Sequence, residues 1–205
     1  MSTRRIHYIS GLTLTVFIGL HLVNHLSSLW GIATHIELMD SLRLVYRNPF
    51  AELLLMGAVL TQIISGIKLF RTEKNIPATW FAQLHRWSGM YLAVFLVIHV
   101  GAVMTGRFLL HLDTNFYFGA AGLNSLPFSL FFVPYYGLAV ISFFAHIACV
   151  HHAKMSITIA GVLPSMQAKA ILVTGILVTF IIFYGMTGHF RGVEIPKAYH
   201  VLIGQ

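Results

Sequence analysis

Five stretches of almost uninterrupted apolar residues, roughly 6–30, 50–70, 80–105, 129–152 and 168–189, alternate with short polar segments along the chain. Each is close to the length of about 20 residues that carries a helix across a bilayer core, and none alternates with the period of two that marks a strand. The pattern predicts five membrane-spanning helices in a single transmembrane domain, 1–205. The segment after the first span, Gly31–Asn48, has mixed charge and predicts a short surface helix around His35–Tyr46. Asn48-Pro49 opens the second span, and Trp80 and Trp87 mark the start of the third as interfacial aromatics. Pro134 lies inside the fourth span, and Gly161 and Pro164 punctuate the turn into the fifth.

The first span repeats. Ile6–His25 reads IHYISGLTLTVFIGLHLVNH, and 78 residues later Leu84–Val103 reads LHRWSGMYLAVFLVIHVGAV. His7/His85, Ser10/Ser88, Gly11/Gly89, Leu14/Leu92, Val16/Val94, Phe17/Phe95 and His21/His99 are identical. The same shift pairs Asn48-Pro49-Phe50 with Leu126-Pro127-Phe128. An internal duplication of a helical hairpin follows. The fold class expected is an all-α membrane protein, with a four-helix bundle from two duplicated hairpins plus a fifth helix.

Composition agrees with this reading. The chain is 57% hydrophobic and 9% charged, with mean hydropathy +0.79. The loops leave no room for a soluble catalytic domain, so redox or group-transfer chemistry has to come from a cofactor or a partner. With the N-terminus inside, Arg4, Arg5, Lys68, Arg71, Lys74, Arg86, Lys154 and Lys169 fall on the inner side. Arg43, Arg47, Arg107, Arg191 and Lys197 then fall on the outer side. The excess of inner cations favours an N-in/C-out orientation in the cell inner (plasma) membrane. The net charge of +7 belongs to topology and to anionic lipid, and nucleic acid is not expected as a partner. No cleavable signal peptide is expected behind Arg4 and Arg5. The single cysteine, Cys149, excludes an internal disulfide, and without a C-x-x-C-H segment a covalently attached haem is not expected.

The candidate chemistry lies in histidines. A polar side chain at bilayer depth costs a few kcal/mol unless it is paired. His21, His25, His99 and His146 all lie inside spans. His7, Gly11, Leu14, Ile18, His21 and His25 share one helical stripe, and His85, Gly89, Leu92, Leu96 and His99 share its copy. The first and third spans run in the same direction. His21 and His99 lie equally far beyond His7 and His85, about 21 Å at 1.5 Å per residue, so they reach matching depth. Two neutral imidazoles facing each other between apolar walls suit the axial ligands of one haem b. Arg107, Arg43 and Arg47 are the candidate propionate partners. His25 has no counterpart in the third span, where Val103 stands, and reads as a hydrogen-bonded structural histidine.

The pattern S-G-L-x-L-x-x-F-x-x-x-H in the first span and the H-R-x-S-G start of the third, with histidines in the first, third and fourth spans, resembles the membrane cytochrome b subunit of the succinate dehydrogenase and fumarate reductase family. The form most similar is the single-chain five-helix anchor. The resemblance covers nearly the whole chain. It implies outer haem ligation by His21 and His99. It implies an inner haem between a fourth-span histidine, His146, and a second-span position near Gly66, where this chain carries no histidine. One haem b is therefore expected, with the inner site empty or altered and His146 a candidate ligand of a second site. A rescue by His7 or His85 is disfavoured on helix depth. The resemblance further implies a quinone pocket near His85, Arg86, Trp87 and Ser88, and docking of flavoprotein and iron–sulfur subunits on the inner face. The chain itself would be a non-catalytic electron-transfer subunit between quinone and that partner. Other copies of the chain are an optional further partner.

Three other readings remain open at this stage. A stand-alone haem b quinol cytochrome could serve a different redox partner. A membrane di-iron oxygenase is suggested by His21-x-x-x-His25 and His146-x-x-x-x-His151-His152, but these groups lie at opposite depths. A haem-free anchor would use its histidines to tie helices together.

Overall fold

The computed structural model describes residues 1–73 and 79–204; Lys74, one of the expected inner cations, lies outside them. The chain is a bundle of α1 (Thr3–Ser27), α2 (Ile32–Tyr46), α3 (Pro49–Glu73), α4 (Trp80–Phe108), α5 (Phe116–Leu123), α6 (Ser129–Lys154) and α7 (Pro164–Met186). Short 3-10 segments follow at Ser28–Trp30 and Lys197–Ile203. Five of these helices (α1, α3, α4, α6 and α7) are long and apolar enough to cross a membrane, which makes this a multi-pass membrane protein. The spans start where the sequence offers starts. Ser2 Oγ accepts from Arg5 N, Thr79 Oγ1 accepts from Ala82 N, and Pro164 opens α7 at a position whose amide would be unpaired in any case. Their outward faces carry Leu12, Val16, Leu20, Leu60, Ile64, Val97 and Phe180, all exposed. Among lipid tails that exposure is an ordinary solvent contact.

The spans form a closed ring. In the order α1, α3, α4, α6, α7, each packs on the next, and α7 returns to α1. The two hairpins, α1/α3 and α4/α6, thus meet along α3 and α4, and the fifth span seals the gap between α6 and α1. Small residues permit the tightest approaches: a Cβ on Gly175 would run into Phe144, and one on Gly185 into Ser28. Helices across the ring meet only through side chains. No close backbone contact joins α1 to α4 or to α6. The space between them is a cavity of about 1110 Å³ that runs along the bundle axis, larger than the roughly 300–1,000 Å³ usual for small-molecule clefts.

One end of the bundle, here termed the N-face, carries the N-terminus and the start of α4. The other end, the C-face, is closed by α2, α5 and the C-terminal tail. Phe116, Ala120 and Leu123 of α5 are buried against Leu22, Phe143, Ile182 and Met186. Asn124 fastens the tail: Nδ2 donates to Ala120 O and Met186 O, and Oδ1 accepts from Val193 N. The predicted surface helix is present as α2, but it is not simply laid on the surface. His35 and Met39, one turn apart, are buried beneath it.

Candidate functional site

The duplicated stripes both face the cavity. His21 and His99 line its C-face half from opposite sides, with ring centres 6.2 Å apart and planes crossing at 63°. Each imidazole stacks on the phenylalanine one turn earlier. Phe17 lies 6.0 Å from His21 at 15°, and Phe95 lies 5.0 Å from His99 at 12°. Phe17 and Phe95 are identical partners of the repeat, so the repeat conserves a Phe-His step on each wall. Their steering role could have been read from that identity and the four-residue spacing.

The spacing can be tested against an axial pair. A first-row metal takes an imidazole nitrogen at about 2 Å, and the ring centre lies about 1 Å further out. Two imidazoles on opposite sides of one iron therefore have centres about 6 Å apart. His21 and His99 meet that distance, on helices with no close backbone contact, between walls of Leu22, Leu92, Leu96 and Phe143. The pair fits a bis-histidine haem.

His25 also lines this half. Its Nε2 lies 3.1 Å from His21 Nε2, and its Nδ1 lies 3.4 Å from Nε2 of His35, which is also 3.2 Å from Asn24 Nδ2. The hydrogen-bonded role expected of His25 is what the contacts show. The link through His35 was missed because α2 reads as a solvated helix in sequence. The signal was present in the His35/Met39 spacing of four. His35 Nδ1 and Asn24 Oδ1 are buried without a hydrogen-bond partner. Burial, with His21 and Arg43 nearby, pulls the His35 pKa down to about 4.

At the C-face end the three expected arginines separate. Arg43 donates to Asp40 Oδ1 at 3.1 Å and to Asp113 Oδ1 at 2.8 Å, and it does not line the cavity. Arg107 lines the cavity and is paired with Glu52. Arg47 lines it too, but donates to a neutral oxygen, Thr114 Oγ1, at 2.9 Å. Burial first, then repulsion from Arg43 and Arg107, lowers the Arg47 pKa. Of the three, Arg47 is the one with no carboxylate at ion-pair distance among the described residues, and Asp113 acts on it only from further away.

The N-face half holds a second group that the sequence reading disfavoured. His7, His85 and His146 meet there. His85 stacks on His146 at 4.2 Å and 26°, and His7 stands 6.5 Å from His146 with planes at 73°. Depth counted in residues separates them. The side chains close the gap because Gly66 and Gly89 leave room: a Cβ on Gly66 would sit 3.3 Å from His7 Cε1, and one on Gly89 would sit 3.0 Å from His146 Cε1. His7 Nδ1 lies 2.8 Å from Ser65 Oγ, and His7 Nε2 lies 3.1 Å from Gln62 Nε2. Gln62 and Ser65 were not singled out from sequence; a glutamine inside an apolar span was the available signal.

The four residues expected near a quinone divide. His85 and Arg86 line the cavity, whereas Ser88 and Trp87 do not. Ser88 is buried with its hydroxyl donating to His85 O, and Trp87 is exposed and packs edge-on against Phe70. Among the described residues no set of three or more His, Cys, Asp or Glu side chains could hold a metal ion. The His21/His25 and His146/His151/His152 groups are not brought together into one metal cluster. Comparison with protein-family models, with curated proteins and with solved structures finds no match.

Proposed function

We propose that this chain is a haem b membrane subunit that passes electrons between a membrane quinone and a soluble redox partner, of the flavoprotein and iron–sulfur type that its motifs resemble. The observation that carries the reading is the His21/His99 pair: matching depth, ring centres 6.2 Å apart, on helices with no close backbone contact across an apolar cavity. An iron porphyrin supplies a one-electron couple when bound there. The chain's own residues do the rest. His21 and His99 would hold the group through neutral nitrogens, Phe17 and Phe95 stack on those rings, and Arg47, with Arg107 near it, would supply positive charge to propionates. The apolar walls of the cavity suit the faces of a porphyrin. At the N-face mouth His85 and Arg86 are placed to meet a quinone head group. With the N-face inside, the basic ends of α1, α3 and α6 face the soluble partner, in the plasma membrane.

The test is a reduced-minus-oxidised spectrum of the purified chain from haem-sufficient cells. Sharp b-type bands, lost in both His21→Ala and His99→Ala, are expected. A colourless preparation refutes the proposal. It would favour a second reading that has its own support: His21 Nε2 is already partnered by His25 Nε2, as helix-tying histidines in a haem-free anchor would be.

A further inference from the structure

The first and last turns of α2 both reach the imidazole of His21. At one end His35 Nε2 lies 3.4 Å from His25 Nδ1, and His25 Nε2 lies 3.1 Å from His21 Nε2. At the other end Tyr46 packs edge-on against Phe17 at 5.4 Å, and Phe17 stacks on the face of His21. We propose that α2 is a cap whose closure is coupled through His25 to haem occupancy, an inference that rests on the haem reading above. The bond from His25 to His21 Nε2 and ligation of a metal by that same nitrogen exclude each other, so ligation releases His25 to His35.

One amide sets the proton positions along this chain of imidazoles. Asn24 Nδ2 can only donate, so His35 Nε2, 3.2 Å away, accepts, and the His35 proton lies on Nδ1. His25 Nδ1 faces the same His35 nitrogen and is therefore the donor of that pair. With its one proton spent there, His25 Nε2 accepts from His21 Nε2–H. While His25 holds it, His21 Nε2 is protonated; ligation through that nitrogen needs the proton on Nδ1 instead. Once His21 Nε2 is withdrawn, the hydrogen bond left to the His25 side chain among the described residues is its donation to His35. At 3.4 Å that bond is longer than the roughly 2.7–3.2 Å of an ordinary one. A ring released by His21 has room to shorten it, which draws α2 inward.

The helix ends on either side of this contact differ in how firmly they are held. The end of α1 that presents His25 is pinned: Ser27 Oγ donates to Asn24 O and Ser28 Oγ to His25 O, each at 2.6 Å. α2 instead starts at Gly31, at φ 115° and with no side-chain cap, a conformation that only glycine takes without strain. Movement therefore falls on α2. Its seal over the cavity rests on packing more than on hydrogen bonds. Phe116 stands edge-on to His35 at 5.2 Å, whereas His35 Nδ1 and Asn24 Oδ1 are buried without partners. A cap closed in that way responds to one hydrogen bond gained or lost. The coupling is reciprocal: the factor that haem adds to closure of α2 is the factor that closure adds to haem affinity.

The experiment is hydrogen exchange on the purified full-length chain in nanodiscs, haem-free and reloaded with haemin, at one pH. Loading should raise the protection of α2 amides roughly tenfold, inside the usual span of about 5- to 150-fold for coupled sites. His25→Leu, which keeps His21 and His99, should take up haemin with no change in α2. Nitrogen-15 NMR of labelled histidines reads the relay itself: in the haem-free chain His21 should carry its proton on Nε2. A proton on Nδ1 there, or equal α2 protection with and without haemin, overturns the coupling and leaves the proposed function standing. An equal rise in the parent and in His25→Leu does the same, since it marks general stiffening. No uptake of haemin by the parent overturns both. Where His25→Leu does not fold, the parent decides: a rise in α2 well beyond that in α6 and α7 supports the coupling, and a uniform rise overturns it.

Discussion

Acidification should loosen the C-face cap through one residue, His35. It is 2% exposed, and only its neutral form is compatible with its place between His25, Asn24 and Phe116. Its pKa is about 4 in the folded protein, against 6.5 once α2 opens and the ring meets water. The sign follows from proton counting. Between pH 6.5 and 4 the opened state binds a proton that the closed state does not, so falling pH favours opening. The closed state loses almost nothing at pH 7, about 2 kcal/mol at pH 5, and about 3 kcal/mol once pH is below 4. Hydrogen exchange of α2 amides in nanodiscs reads this opening directly. After correction for intrinsic rates, protection should fall roughly 20-fold from pH 7 to pH 5, since about 1.4 kcal/mol is tenfold. His35→Gln keeps a hydrogen-bonding side chain but cannot titrate. Its α2 protection should stay level over the same range. Equal pH dependence in the two proteins would refute the assignment to His35.

Arg47→Gln should lower haem retention and shift the midpoint potential of the His21/His99 component downward, because it removes a cavity-lining cation that has no carboxylate at ion-pair distance. Arg43→Gln, whose parent side chain is already spent on Asp40 and Asp113, should leave that potential unchanged and affect only α2 and its tie to the segment at Asp113; potentiometry separates the two. Gly175→Leu should push α7 off α6 at Phe144 and destabilise the fold by about 1–3 kcal/mol or more, the usual cost of overpacking, read by unfolding in mixed micelles. A membrane-impermeant maleimide on intact cells should label Lys197→Cys and not Ser2→Cys if the N-face is inside. Reversed labelling would move the partner surface to the C-face. Cys149, buried in α6, serves as the unreactive background.

The spans were legible because a bilayer demands only length and apolarity, and both are written residue by residue. The His21/His99 pairing was legible for a different reason. A duplication sets two parallel helices at the same depth, so equal counts from His7 and His85 suffice. That argument fails wherever partners are not copies of each other. His7 and His146 lie on antiparallel, non-equivalent helices, and their meeting depends on tilt and on side-chain reach past Gly66 and Gly89, quantities that residue counting does not contain. His35 escaped for a related reason. A helix with Glu37, Asp40 and Arg43 looks solvated, and the burial of its His35/Met39 face appears only once α5 is seen to close over it. The arginines show the same limit. All three are outer-side cations, but the carboxylate partners of Arg43 and Arg107, Asp113 and Glu52, come from elements far away in sequence, and only those pairings single out Arg47 as the one of the three with no carboxylate at ion-pair distance. A duplicated hairpin therefore fixes where its cavity walls stand, whereas what bridges the cavity is decided by unlike residues that the duplication never related.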